Sequence, residues 1–450
     1  MLRVARHYVS GPKLRLFLLE GAAVAAASFL GAVLGPCLVE RGAPHNLLAS
    51  LGPRVWLVAA FALFLQAALY LFDLYDLPIA RDDRARGSRA LRAAGLAVTL
   101  LSAAVALAAP DRVPEGALLG TALGGALGSW AVRGALEGLV GQPTKVLLVG
   151  LGPKARVVAE AVASEADGYR ICQHWPALGP AGEIAERVEK TGAQVVVAAL
   201  EEARGASCSE ALLECRAAGH RVYDAAGFLE RAFRRVPVEL VRPSELAYSD
   251  DLTRTRVRQV VKRGMDLVAA LALATAALPV AIAVFLAVRL DSRGPAFYSQ
   301  ERVGRRGRTF KLWKFRSMRE DAESGGAVWA KKDDDRVTRV GRLLRKTRMD
   351  ELPQVLNVLS GDMSFVGPRP ERPSFVADLA ARIPLYRVRE VVKPGITGWA
   401  QIRYPYGASV ADARNKLEFD LYYVKNGTLF LDLAIVFHTV RHVLLGRGAR

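Results

Sequence analysis

The first third of the chain holds four long apolar runs, at about residues 14–35, 55–72, 93–109 and 113–132. Each run is close to the roughly 20 residues that an α-helix needs to cross the hydrocarbon of a bilayer. Little amphipathic periodicity interrupts them, so buried helices of a soluble domain are the weaker interpretation. The sequence therefore predicts a membrane α-helical bundle of four transmembrane helices over residues 1–140.

The short segments that flank these runs differ in their basic residues. Four Lys or Arg lie before or at the start of the first run and five lie between the second and third, whereas the other two connections hold two and one. Because Lys and Arg accumulate on the cytoplasmic side of membrane proteins, both ends of the bundle are expected to face the cytosol. Glu20 lies inside or at the edge of the first run, and we expect it near the membrane interface.

After residue 142 the pattern changes to short apolar segments that alternate with helical ones. Lys145–Val149 reads as a strand, Gly150-Leu-Gly152 as a turn, and the following residues as a helix, which is how a Rossmann-like unit begins. Expected strands at 193–200 and 221–223 extend the alternation to a parallel sheet. The sequence thus predicts an α/β domain over residues 141–226, followed by a linker over 227–257.

The glycine turn alone is weak evidence for a dinucleotide site. No acidic residue ends the expected second strand, Tyr169–Gln173, where a ribose hydroxyl would need one. A degenerate Rossmann-like domain with a regulatory or structural role is therefore favoured over an NAD site.

A fifth apolar run, Leu267–Val288, contains 22 residues without a charge. Its length alone predicts a transmembrane helix. Both of its flanks are basic, however, and Pro279 lies near the middle, where the missing N–H and the ring clash bend a helix. We therefore expect a re-entrant helix at about residues 265–290 that returns to the face it entered, with a spanning helix as the alternative.

Basic charge is concentrated after the sheet domain. Residues 251–450 carry 36 Lys and Arg against 20 Asp and Glu, whereas residues 1–250 carry 26 against 24. Such a field suits a partner that bears phosphate, such as a nucleotide, a lipid phosphate or an anionic membrane surface. Nucleic acid is not an expected partner, because the preceding apolar runs fix the chain in a membrane.

An adjacent acidic pair, Asp350 and Glu351, follows a strongly basic segment. Two neighbouring carboxylates can divide roles, one attacking phosphorus while the other holds a divalent cation. The alternative is an acidic first turn of a helix, which is common in proteins. Lys314 and Arg316 lie upstream and would share one face of a strand, and Arg345 lies just before the pair.

The surrounding residues, Asp350-Glu-Leu-Pro-Gln354 and Asn357 to Pro370 with its Gly-Pro-Arg-Pro turn, resemble the bacterial sugar transferase family, the polyprenyl-phosphate sugar-1-phosphate transferases. The resemblance continues through Lys262-Arg-Gly-Met-Asp266, Pro279, Gly294-Pro295, Lys314-Phe-Arg-Ser-Met318, Pro394 to Gln401 and Lys416 to Tyr423. It covers a mainly helical catalytic domain at about residues 258–450, and the preceding domains are similar to those of large, exopolysaccharide-type members.

This resemblance implies an enzyme that moves a sugar-1-phosphate, expected to be a hexose-1-phosphate, from a UDP-sugar to undecaprenyl phosphate and releases UMP. The reaction would begin exopolysaccharide synthesis on the cytosolic face of the bacterial inner membrane, with Mg²⁺ as cofactor. Membership also implies contact with the lipid bilayer and leaves a homo-oligomer open. The alternatives are a catalytically idle membrane scaffold and a membrane-tethered nucleotide-sugar oxidoreductase.

The resemblance assigns roles to residues of this chain. Asp350 matches the nucleophile that carries a covalent phosphosugar, and Glu351 matches the magnesium ligand. Lys314 and Arg369 match positions that line the phosphate site, and Pro279 matches the break in the re-entrant helix. Arg316 and Arg345 are added to the substrate site from their charge alone.

Overall fold

The computed structural model describes residues 2–4, 7–9, 11–39, 51–72, 74–75, 83–108, 115–140, 143–164, 168–176, 181–201, 206–248, 255–319, 335–404, 407 and 409–444. The chain forms two compact units, one of residues 1–2 and 9–225 and the other of residues 3–8 and 226–450. Two short strands, β1 (Leu2–Val4) and β2 (His7–Val9), precede the first helix.

Long apolar helices form the first part of the chain. They are α1 (Gly11–Val39), α2 (Leu51–Leu71), α3 (Asp83–Ala108) and α4 (Glu115–Val140). By length and composition, Leu14–Leu34 in α1 and Gly87–Ala106 in α3 can cross a membrane, while the apolar part of α2, Val55–Tyr70, is shorter. The prediction of apolar helices with candidate membrane spans is confirmed, and a count of four crossings stays a prediction.

Small residues and one buried ion pair hold α1 against α4. A Cβ atom added at Gly31 or Gly124 would collide with a backbone oxygen of the other helix, so glycine permits the close approach of the two helices. Glu20, fully buried, accepts hydrogen bonds from Arg133 Nε at 2.6 Å and Nη2 at 2.7 Å. Ser129 Oγ donates to the same carboxylate at 2.5 Å. The sequence predicts only that Glu20 lies near the membrane interface. The structure gives it a bidentate partner, Arg133, on another helix.

A four-stranded parallel sheet follows the helices. Its strands are β3 (Thr144–Val149), β4 (Tyr169–Trp175), β5 (Val195–Ala198) and β6 (Arg221–Asp224), in the spatial order β4-β3-β5-β6. The helices α5 (Pro153–Ser164), α6 (Ala181–Thr191) and α7 (Ala206–Ala217) alternate with them. The central strands read as continuous apolar runs because both faces of a parallel sheet are covered. The predicted parallel sheet is confirmed, with its first strand between the second and third, unlike the 3-2-1-4 order of dinucleotide-binding sheets.

The glycine turn after β3 holds an acidic side chain. Glu201 Oε1 accepts a hydrogen bond from the backbone N–H of Lys154, in the first turn of α5, at 3.2 Å. A Cβ added at Gly152 would lie 2.6 Å from the same oxygen. Lys154 Nζ donates to the backbone oxygen of Leu200 at 3.0 Å. A carboxylate of the chain therefore lies where a phosphate would meet the start of this helix.

The second unit is mainly helical. Its helices are α8 (Ala225–Phe233), α9 (Pro243–Ala247), α10 (Arg256–Asp291), α11 (Arg339–Thr347), α12 (Gln354–Ser360), α13 (Pro373–Arg382), α14 (Trp399–Arg403), α15 (Val410–Asn426) and α16 (Leu429–Leu444). An antiparallel hairpin, β7 (Phe297–Val303) with β8 (Thr309–Phe315), and a parallel pair, β9 (Ser364–Val366) with β10 (Gly395–Thr397), complete it. All the predicted site residues lie in this unit.

The long helix α10 is anchored to this unit at both ends. Near its start, Arg263 Nη2 donates to the backbone oxygen of Leu359 at 2.9 Å, and Asp266 Oδ1 accepts from the backbone N–H of Phe365 at 3.0 Å. At its end, Asp291 Oδ2 accepts from the backbone N–H of Val340 at 3.1 Å. The helix runs without interruption through Pro279, and the apolar side chains around this residue are exposed. By length and composition, α10 is a candidate membrane span.

Residues 227–248, which the sequence places in the linker, pack on the last helices of the same unit. The Glu230 carboxylate accepts hydrogen bonds from Lys425 Nζ and Asn426 Nδ2, both at 2.8 Å. Trp399 Nε1 donates to the backbone oxygen of Arg234 at 2.9 Å. These residues are therefore an integral layer of the second unit.

Candidate active site

A sharp turn after α11 presents the acidic pair. Arg348 ends the helix in the left-handed conformation, with φ 57° and ψ 18°. A non-glycine residue in this region is strained, which is often found at functional sites. Asp350 and Glu351 follow at once in a single 3₁₀ turn, Met349–Glu351. The turn brings both carboxylates toward the hairpin strand β8.

Two cations meet at one oxygen of Glu351. Lys314 Nζ, from β8, lies 3.2 Å from Glu351 Oε1, and Arg369 Nη2, from the Gly-Pro-Arg-Pro turn, lies 2.5 Å from the same atom. Burial alone would raise the pKa of the Glu351 carboxyl, but the charges of Arg369 and Lys314 hold its pKa well below the usual range. Glu351 is thus a fixed anion.

Asp350 lies beside this ion pair and is only 7% exposed. Burial raises the pKa of its carboxyl, Lys314 opposes that shift, and the neighbouring charge of Glu351 adds to it. The two adjacent carboxylates therefore differ in proton affinity, since Glu351 receives the direct hydrogen bonds. A buried carboxylate with few hydrogen bonds is the better nucleophile of such a pair.

The other two predicted cationic residues, Arg345 and Arg316, have different hydrogen-bond partners. Arg345 Nε donates to Ser317 Oγ at 3.0 Å, and its charge lowers the pKa of Asp350. Arg316 lies just after the end of β8, so the alternation that would align it with Lys314 does not extend to it. Its guanidinium donates to the backbone oxygens of Arg293 at 2.7 Å and Ser292 at 2.8 Å. The structure thus brings Lys314, Arg345 and Arg369 to the acidic pair, and uses Arg316 to stabilise the end of α10.

Asn357 supports the site in a way that the sequence analysis did not single out. Its Nδ2 donates to the backbone oxygen of Lys311 at 2.7 Å, and its Oδ1 accepts from the backbone N–H of Trp313 at 3.0 Å. The amide thereby fixes the strand that carries Lys314. A polar residue among the apolar positions of α12 was the available signal.

The acidic pair offers two carboxylates to a cation. Among the residues that the structure describes, no group of three or more His, Cys, Asp or Glu side chains comes together. Mg²⁺ is commonly held by one or two carboxylates, together with substrate phosphates and water. The donor set therefore fits a magnesium ion that is bound with its substrate.

Comparison with known proteins assigns the second unit to a family. The family model described as bacterial sugar transferase matches residues 257–446. The exopolysaccharide production protein PSS of Rhizobium leguminosarum bv. phaseoli is 41% identical over 187 residues, which make up 94% of that protein and 40% of this chain. The chain belongs to the bacterial sugar transferase family. The family predicted from the motifs is confirmed.

Two longer relatives carry more specific names. A UDP-N-acetylgalactosamine-undecaprenyl-phosphate N-acetylgalactosaminephosphotransferase of Aeromonas hydrophila is 43% identical over 239 residues, 53% of this sugar transferase and 56% of the relative. A UDP-glucose:undecaprenyl-phosphate glucose-1-phosphate transferase of Escherichia coli K12 is 41% identical over 201 residues, 44% of this chain and 43% of the relative. The chain thus spans about half the length of these curated relatives.

Proposed function

We propose that this sugar transferase moves a hexose-1-phosphate from a UDP-sugar to undecaprenyl phosphate and releases UMP, as the first step of exopolysaccharide synthesis. The observation that carries the proposal is the meeting of Lys314 and Arg369 at Glu351 Oε1 beside the buried Asp350. The names of the relatives from Aeromonas hydrophila and Escherichia coli support the donor and acceptor classes.

The transfer is proposed to proceed in two displacements. In the first, an oxygen of the Asp350 carboxylate forms a bond to the phosphorus that carries the sugar, and the bond from that phosphorus to the UMP oxygen breaks. In the second, a phosphate oxygen of undecaprenyl phosphate attacks the same phosphorus, and the Asp350 carboxylate leaves. The products are UMP and a lipid diphosphate sugar, and the protein returns to its starting form.

The cations account for the charge that develops during these steps. Lys314 and Arg369 already face the acidic pair, so they can contact the diphosphate without a large rearrangement. Arg345 adds a third charge that favours the ionised form of Asp350. Positioned cations of this kind are the usual means of stabilising phosphoryl transfer.

Glu351 is proposed to help bind Mg²⁺ together with the substrate phosphates. When bound, the ion would neutralise charge on the diphosphate. Glu351 suits this task because Arg369 and Lys314 keep its carboxyl ionised over the ordinary pH range. Magnesium binding and substrate binding are then expected to depend on each other.

The anchoring of α10 supports a re-entrant helix. Arg263 and Asp266 bind the second unit at one end of the helix, and Asp291 binds the same unit at the other. A helix that crossed the bilayer would place these two sets of contacts on opposite faces, about 30 Å of hydrocarbon apart, whereas a bend at Pro279 would keep both on one face. We infer that α10 enters and leaves on the cytosolic face of the bacterial inner membrane, with its exposed apolar residues around Pro279 in lipid. Four crossings by α1 to α4 would place the second unit on that face as well.

Cysteine labelling of intact cells tests this topology. In a protein whose own cysteines are replaced, Arg308→Cys in the hairpin after α10 should resist a membrane-impermeant thiol reagent. Ala43→Cys, in the connection predicted to face outward, should react and serves as the control. Reaction at both positions would show that α10 crosses the membrane.

The activity itself is tested by UMP release. Detergent-solubilised protein is supplied with undecaprenyl phosphate, Mg²⁺ and each member of a panel of UDP-hexoses. We expect UMP from at least one donor, only with the lipid, and a loss of about 10³-fold or more in Asp350→Asn. Asp378→Asn, which alters an exposed ion pair with Arg382, is the matched control and should retain full activity. No UMP from folded protein would favour a membrane scaffold, and full activity in Asp350→Asn would exclude this residue as nucleophile.

A further inference from the structure

Arg369 lies in a segment that cannot supply hydrogen-bond donors for all of its own backbone carbonyls. Gly367-Pro368-Arg369-Pro370 contains two prolines, which have no N–H to donate. The residue before each proline is also restricted to extended conformations. The carbonyl groups of this segment therefore need donors from other parts of the chain.

Each of four successive carbonyl oxygens has such a donor. Pro368 O accepts from Gly395 N at 2.9 Å, Arg369 O from Arg389 Nη2 at 2.8 Å, Pro370 O from Arg302 Nη1 at 3.1 Å, and Glu371 O from Val303 N at 2.9 Å. The outer two donors are backbone groups. The inner two are guanidinium groups, and they bind the carbonyl of Arg369 and that of the next residue.

All three nitrogens of the Arg389 guanidinium have hydrogen-bond partners. Its Nε and Nη2 lie 3.0 Å and 2.8 Å from Asp420 Oδ2, and its Nη1 donates to the hydroxyl of Tyr386 at 3.1 Å. The side chains of Arg389 and Asp420 are 10% and 4% exposed. A buried guanidinium whose fork is fully engaged has one orientation, so the carbonyl it binds is fixed with it.

Arg302 has a similar arrangement at the next carbonyl of the segment. Its Nη2 donates to Gln300 Oε1 at 2.6 Å, and its Nη1 lies 3.6 Å from the Glu371 carboxylate. Arg302 comes from β7, whereas Arg389 comes from the 3₁₀ helix Tyr386–Val391. The Arg369 segment is thus bound by two separate elements.

We propose that Arg389 and Arg302 form a guanidinium clamp that positions Arg369 for its contact with the acidic pair. The inference rests on the proposed function, because it assigns the clamp to the same site. The Arg369 side chain is 36% exposed, so packing alone does not restrict its rotamers. A fixed backbone limits where its guanidinium can reach, which is what orientation of a phosphate requires. Neither clamp residue bonds to Asp350 or Glu351 in the hydrogen bonds given above, so both are positioning residues.

Hydrogen exchange of the backbone tests the clamp without catalysis. Arg389→Lys and Arg302→Lys keep the positive charge but lose the planar fork. We expect the peptide that covers residues 367–371, whose backbone amides are those of Gly367, Arg369 and Glu371, to exchange about tenfold faster in each variant than in the wild type. Lys425→Gln, which removes a part-buried ion pair with Glu230 in the same unit, is the control and should leave that peptide unchanged. Unaltered exchange in both clamp variants, or equal acceleration in Lys425→Gln, would overturn the proposal.

A double-mutant cycle tests how the clamp affects the reaction. Arg389→Lys should lower kcat for UMP release about tenfold with KM for the UDP-sugar changed less than about twofold, since the defect lies in orientation. In an Arg369→Gln background the same change should have almost no further effect, because Arg389 acts through Arg369. A general structural defect would instead lower both proteins by the same factor, and that result would remove the positioning role.

The two measurements separate this inference from the proposed function. Faster exchange at residues 367–371, in a protein whose wild type releases no UMP, would keep the clamp and reject the transferase activity. Normal exchange in a protein that releases UMP would do the reverse.

Discussion

Two regions of this chain have the sequence of a phosphate site, and the structure treats them in opposite ways. In the sheet domain, Glu201 accepts a hydrogen bond from the N–H of Lys154, whose ammonium donates to a backbone oxygen of Leu200. In the second unit, Lys314 and Arg369 converge on Glu351. In the first region, groups of the protein itself therefore bind both the lysine ammonium and the start of the helix. The second has more cations than carboxylates and keeps a capacity for anions.

This contrast concerns the balance of charge rather than the motif. A glycine turn and a lysine are present in the sheet domain, yet a carboxylate lies beside Gly152. Near the acidic pair, the charges of Lys314, Arg345 and Arg369 all lower the pKa of Asp350. A phosphate site thus requires a local excess of cations over carboxylates.

Among the tests of this contrast, a paired substitution has the largest expected effect. Arg369→Gln removes a cation from the acidic pair and should lower kcat/KM for UMP release about 10²-fold or more. Lys154→Gln removes the cation of the glycine turn and should leave UMP release within about twofold of wild type. Steady-state kinetics of both variants under the same conditions provide the measurement. Equal losses would mean that the two regions do not differ in the way described.

A pH profile gives the next largest effect. Asp350 must be ionised to attack, and burial raises its pKa, so activity should fall as the pH drops through that raised value. Lys314 favours the ionised form, and Lys314→Met should therefore raise the pKa further and move the acid limb of kcat/KM to higher pH. The profile of Lys154→Gln should overlay that of wild type. An acid limb that moves to lower pH in Lys314→Met would contradict the assignment of Asp350.

The smallest expected effect lies in the sheet domain. Glu201→Ala removes a carboxylate from the start of α5 and should lower the free energy of unfolding by about 0.5 kcal/mol. Glu210→Ala changes an exposed carboxylate on α7 and is the matched control. Wild-type protein should not bind NAD⁺ in calorimetry at millimolar concentration. Tight binding of NAD⁺ would return the oxidoreductase alternative.

The sequence predicts the apolar helices, the parallel sheet and the family, because each of these depends on local pattern or on a continuous motif. It also identifies the residues of the acidic pair and the cations around it. It cannot predict Glu201 in the glycine turn, since the contact joins residues 47 positions apart along the chain. Charge alone likewise cannot separate Arg345 from Arg316, because only the end of β8 at Phe315 turns Arg316 toward the backbone of α10.

The clamp around Arg369 is a further feature that the sequence does not predict. Arg302, Arg369 and Arg389 are three arginines in a basic region, and their pattern gives no indication that two of them bind the backbone of the third. The prolines of the Gly-Pro-Arg-Pro turn supply the one local signal, because they create carbonyls without partners.

The ion pair between Glu20 and Arg133 has a consequence for how the protein is synthesised and inserted. The two residues are 113 positions apart, and at a synthesis rate of about 5–20 residues per second Arg133 emerges roughly 6–23 s after Glu20. During that interval the first helix has an acid in an apolar segment without its partner. We therefore expect the first helix to stay near the insertion machinery until the fourth arrives, so that the bundle closes before most of the chain has been made.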